Sequence, residues 1–349
     1  MTFDPRLRSH NFMSRWRIFR FLRPSENTLL LALSFAVGLT TAFSIWGFRE
    51  AIEFFHAFFI DFLANDLLSF TGVIGPIIAL ALAGLAIGWI HHRYVGKERY
   101  HGVAGIIEAV ALTGGRLRVA TMPFKALASA MSLGAGASVG PEDPSVQIGS
   151  TFGSFLGQRL HLKEDLTRLL VSAGAASAIS AAFNAPIAGV FFALEVILHG
   201  ELSQASVSVV IISAVVATGV TQGLGIGEAA MGPFDFTLES ALEIPFYLPL
   251  GILIAPIAAA FIWGAYWQYD FWTERISNLS RPIKTALAGA LIGIVGIFLP
   301  EIMGASREPM NAILRGDDSF LLGTLVVLAI AKLVMTTVSL GAGFVGGIF

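Results

Sequence analysis

The sequence predicts an all-α integral membrane bundle with broken and re-entrant helices, and three observations predict it. The 349 residues are 55% hydrophobic and 13% charged, against about 25% charged in a soluble domain, and the mean hydropathy is +0.75. Charge-free runs at 27–48, 67–90, 126–141, 169–194, 202–227, 244–269, 285–300 and 333–349 divide the chain. Several fall short of the roughly 20 apolar residues of a plain span, or carry glycine and proline inside them. Finally, a motif near the middle of the chain recurs close to its end.

Residues 1–24 hold Arg6, Arg8, Arg15, Arg17, Arg20 and Arg23 against Asp4 alone, without a signal-peptide cleavage pattern. They read as a basic cytoplasmic flank. A first membrane repeat is expected over 25–224, where Arg93, Lys97 and Arg99 mark a return to the cytoplasm. Within it, Asn184-Ala185-Pro186 interrupts the 169–194 run, because proline lacks a donor and pushes its predecessor out of helical geometry. Two half-helices meeting inside the membrane fit better than one span. Such backbone survives at depth only when buried in protein or lining a wet cavity. The linker at 225–245 has no Lys or Arg but carries Glu228, Asp235, Glu239 and Glu243, so it is placed outside. An incomplete second repeat follows over 246–349, with Arg275, Arg281 and Lys284 on the cytoplasmic side. The expected location is a plasma or inner membrane.

The repeat is specific. Lys125 precedes Ser132-Leu133-Gly134-Ala135-Gly136 by seven positions, and Lys332 precedes Ser339-Leu340-Gly341-Ala342-Gly343 by the same seven, an offset of 207. Repeats built from broken helices are typical of transporters, with the substrate site between the copies. Continued, the offset pairs Glu142 with Phe349, so about 80 residues of the second copy are expected beyond the last residue. The sequence therefore reads as a fragment or a truncated frame.

Composition excludes several functions. The formal net charge of −2 offers no basic surface to nucleic acid. Without cysteine there is no disulfide framework, zinc–thiolate site or thiol nucleophile. No P-loop, zinc-helix or dinucleotide fingerprint is present, so no cofactor is expected.

The chemistry concentrates in Gly140-Pro141-Glu142-Asp143-Pro144-Ser145-Val146-Gln147-Ile148-Gly149. Pro144 suits the first turn of a helix. Glu142 or Asp143 would then stand beside a helix start, whose free amides and dipole form a ready anion site. Alternatively, Asp143 is a simple N-cap and Glu142 an exposed loop residue. A separate motif, Gly136-Ala137-Ser138-Val139-Gly140, matches the G-x-S-x-G of serine hydrolases with His101 or His199 as a conceivable base. The strand–turn–helix context of that elbow is not predicted here.

The 140–149 segment resembles the Gly-Arg-Glu-Gly-Pro-x-Val-Gln-Ile-Gly segment of the CLC chloride channel and proton/chloride exchanger family. Tyr100-His101-Gly102-Val103-Ala104 is similar to that family's anion loop, Phe183-Asn184-Ala185-Pro186 through Glu195 to its Phe-Asn-Ala-Pro segment, and Gly346-Gly347-Ile348-Phe349 to the start of its Gly-x-Phe-x-Pro. The resemblance implies an inverted-repeat homodimer in the bilayer, with one pathway per subunit for chloride or another small anion, and in exchangers for protons. It makes Glu142 the gating carboxylate. It assigns His101, Gly102, Ile348 and Phe349 to anion binding, with Lys125, Gly140, Pro144 and Glu195 as supports of the pathway. Four departures stand out: Pro141 for Arg, Asp143 for Gly beside the gate, Ala104 for a helix-starting Pro, and Val196 where exchangers carry an internal proton-relay Glu. An ionised Asp143 would weaken anion binding, and Val196 favours uncoupled conduction or another proton path. The family's inner tyrosine would lie beyond Phe349.

Overall fold

The computed structural model describes residues 26–96, 102–200, 203–226, 232, 240–316 and 320–348. From Glu26 the chain runs as α1 (Glu26–His56), which continues as a π-wound stretch through Ala57–Leu67. There follow α2 (Gly75–Ile90), α3 (Gly102–Thr113), α4 (Met122–Gly134), α5 (Glu142–Arg159), α6 (Glu164–Phe183), α7 (Pro186–Phe192) and α8 (Gln204–Gly223). Beyond the acidic segment come α9 (Tyr247–Asp270), α10 (Arg281–Phe298), α11 (Arg307–Leu314) and α12 (Leu322–Ala342). Among the described residues seven helical stretches are long and apolar enough to cross a bilayer. The 13-residue α4 is not: it rises only about 20 Å.

Side chains sort as lipid requires. None of α9 is buried. Trp263 on it is 71% exposed and Phe298 on α10 is 78% exposed, a band of large apolar groups that water would not tolerate. Inside, small residues bring the backbones together. The antiparallel pair α2 and α10 sets Gly84 against Thr285, Gly88 against Pro282, Gly289 against Leu80 and Gly293 against Ile77. A Cβ on Gly88 would lie 2.6 Å from the Pro282 Cα. Helices that gain little from burying apolar surface in lipid associate through such seams. In the enclosed α6, the hydroxyls of Ser172, Ser177 and Ser180 bond to the carbonyls of Arg168, Ala173 and Ala176 at 2.9, 2.8 and 2.6 Å, leaving none stranded.

The predicted break is present. α6 stops at Phe183, Asn184 turns left-handed with φ 52°, and Pro186 opens α7. The Asn184 Oδ1 accepts from Gln222 Nε2 at 2.8 Å, tying the break to α8. The 207-residue offset also has a geometric counterpart. The Ala137 N–H donates to the Ser132 carbonyl at 2.9 Å, and Phe344 to Ser339 at the same 2.9 Å. Gly136 donates to Leu133 at 3.1 Å and Gly343 to Leu340 at 3.2 Å, with φ of 92° and 111° at the two glycines. These are the same helix-ending cap made twice. Lys332 Nζ donates to the Ile302 and Gly304 carbonyls at 3.0 and 2.6 Å, and the Gly304 N–H in turn donates to Gly136 at 3.1 Å.

Candidate anion pathway

Two irregular stretches meet at the centre, one leading from α4 into α5 and the other leaving α12. They join through Gly140 and Gly347, an isolated antiparallel bridge in which each N–H donates to the other's carbonyl, at 2.9 and 2.7 Å. These positions are again 207 apart, so the two copies pair through equivalent residues. The Val345 N–H donates to Ser132 Oγ at 3.1 Å. Backbone polar groups at membrane depth are thereby satisfied inside the protein.

Glu142 begins α5 and is 3% exposed. Its carboxylate lies against the bridge: a Cβ on Gly347 would come 2.7 Å from the Glu142 Cδ and 2.8 Å from its Oε1. The first turn of α5 stands between two cavities. Pro141 and Ser145 face one of about 520 Å³, shared with Arg49, Glu53, Ile226 and Arg307. Asp143, Pro144 and Gln147 face another of about 790 Å³, shared with His91, Arg281 and Lys284. Both carry cationic groups, which concentrate anions in a low-dielectric cleft. In the first, the Arg49 guanidinium donates to the Ile226 carbonyl, and Arg307 stacks over the Phe183 ring at 5.6 Å. In the second, Arg281 Nη2 lies 3.5 Å from His91 Nε2, and Lys284 Nζ donates to the Trp272 carbonyl at 2.5 Å.

Among the expected site residues, Glu142, Gly140 and Pro144 gather at this crossing. Gly102 and Ile348 line the larger cavity, Ile348 being 49% exposed. Lys125 faces a third cavity of about 350 Å³ that also borders Gly102 and Gln147. Glu195 is exposed on a π-wound turn packed against α3, α6 and α8, apart from the others. His101 and Phe349 lie outside the described residues. Asp143 does not cap its own helix, whose N-cap is Pro141 without a side-chain bond. Instead its carboxylate lies in the space that a Cβ on Gly102 would fill, at the start of α3.

Sequence reasoning missed Arg49, Arg307 and His91 as cavity groups and read Arg281 and Lys284 only as topology signals. Their sole signal was a basic side chain at the end of an apolar run, which serves topology equally well. The hydrolase motif does not make a site. Ser138 is fully buried on an irregular stretch after a helix, with its Oγ 3.1 Å from Thr336 Oγ1. A nucleophile elbow needs an accessible serine between a strand and a helix. Among the described residues no group of three His, Cys, Asp or Glu side chains is arranged to hold a metal ion.

Known proteins give this arrangement a context. The family described as voltage gated chloride channel matches residues 83–349. A ClcB-like chloride channel protein of Ralstonia nicotianae is 34% identical over 278 residues, covering 77% of this chain and 61% of that protein. Chloride channel protein CLC-f of Arabidopsis thaliana is 32% identical over 236 residues, 65% of this chain and 30% of that protein. The chain thus spans less than two thirds of either relative. A slow cyanobacterial Cl⁻/H⁺ antiporter superposes with a TM-score of 0.79 at 24% identity, covering 92% of this chain and 75% of that one. A CLC-type fluoride/proton antiporter gives 0.73 at 22%, covering 92% and 77%. At these identities the structural likeness is one of fold.

Proposed function

The chain belongs to the voltage gated chloride channel family, and from that premise we propose that it moves chloride or a similar small anion across a membrane with the Glu142 carboxylate as its gate. The observation that carries the reading is a buried acid between two cavities edged by cationic groups. An ionised carboxylate is itself an anion and competes for the place the transported ion would take. Protonation removes its charge and its reason to stay. The cavity at Arg281 and Lys284 is the cytoplasmic mouth in this reading, and the one at Arg49 and Arg307 the outer mouth. The basic 1–24 segment and the acidic 225–245 linker support that orientation. The copies at 25–224 and 246–349 supply the two sides of the crossing, and a homodimer is the expected assembly. Val196 at the relay position favours conduction without obligatory proton exchange.

Chloride efflux from vesicles carrying the chain tests the gate. Flux rises on acidification, because protonation neutralises Glu142. Glu142→Gln and Glu142→Ala raise flux at pH 7.5 and flatten this dependence. Unchanged flux and an unchanged pH profile in both variants would overturn the assignment.

A further inference from the structure

The start of α3 is already occupied by a carboxyl group, and it belongs to the protein. Gly102 has φ +66° and no Cβ; the space a Cβ would fill is taken by the Asp143 carboxylate, whose Oδ2 is the nearest atom and whose Cγ would be 2.8 Å away. Gly102 and Asp143 both line the 790 Å³ cavity, together with Ile348 and the cationic Arg281 and Lys284. Asp143 has passed over the start of α5, the helix it belongs to, in favour of the start of α3, which is far away in sequence.

We infer that Asp143 is a tethered competitor, a second carboxylate beside Glu142 that fills the α3 end of the anion pathway and sets how readily a free anion binds there. The inference rests on the anion pathway proposed above. A helix start attracts one negative group at close range. A carboxylate fixed by a short tether meets it at a high effective concentration, which a diffusing anion must overcome. Glu142 then blocks the crossing itself, and Asp143 occupies the neighbouring position on the cytoplasmic side. With an aspartate here, anion affinity is lower than the cavity's cationic lining would otherwise give.

The test is chloride binding to the full chain by titration calorimetry at pH 7.5. It is run in a Glu142→Gln background, so that the gate's own charge is constant. Asp143→Gly vacates the site, and Asp143→Asn keeps the size of the side chain without its charge. Both should bind chloride roughly tenfold more tightly than the parent. Structural damage predicts the opposite sign. Equal or weaker binding in both variants, where the parent does bind, overturns the tethered competitor and leaves the pathway standing. A gain in Asp143→Gly alone assigns the effect to space rather than charge and overturns it as well. No chloride binding in any of these proteins, with no chloride efflux from vesicles, fails the pathway and the inference together.

Discussion

Gly347 sets a constraint at the scale of single residues. Its missing Cβ is what lets the Glu142 carboxylate lie against the bridge, and the amide and carbonyl on either side are committed to Gly140. Alanine there must displace either the carboxylate or the extended segment. Gly347→Ala is therefore expected to lower stability by about 1–3 kcal/mol, measured as the thermal midpoint in detergent, and to raise chloride efflux at neutral pH by dislodging the gate. Wild-type stability together with wild-type flux would mean that the carboxylate does not rest on the bridge. That Glu142 stands at a helix start was legible in the sequence, because Pro144 suits a first turn. The destination of Asp143 was not. Gly102, against which it lies, is some forty positions earlier in the chain, and local spacing fitted an ordinary N-cap equally well.

Among the elements, the seam between α2 and α10 is the clearest case of packing dictated by small residues. Gly88→Leu places a branched side chain where the Pro282 Cα and the Thr285 hydroxyl already stand, at 2.6 and 2.9 Å from the Cβ position. Gly47 on α1 has nothing within 4 Å of its Cβ position. The expected result is a loss of folded, monodisperse protein or a drop of several degrees in thermal midpoint for Gly88→Leu, and little change for Gly47→Leu. Equal behaviour of the pair would remove the seam from the account. The helix breaks were readable in advance, since Asn184 and Pro186 act through their own backbone chemistry. Which helices would pair was not, since glycines spaced four apart recur along the chain and do not name their partner.

For the whole molecule, the membrane class followed from composition alone, and the duplicated pentapeptide pointed to two equivalent segments. The structure adds the way they meet: matched caps on α4 and α12, then a reciprocal bridge between Gly140 and Gly347. The cationic lining of the two cavities emerged only in three dimensions. Arg49, Arg281 and Arg307 come from three separate stretches of chain, and each alone reads as an ordinary residue near the end of a span. The central claim is that the Glu142 carboxylate occupies the place of a transported anion, and bromide makes that place visible. Crystals of the Glu142→Gln variant soaked in bromide should give an anomalous scattering peak beside Gly140 and Gly347, at the foot of α5. A variant that passes chloride yet shows its bromide elsewhere, with that position empty, would contradict the account.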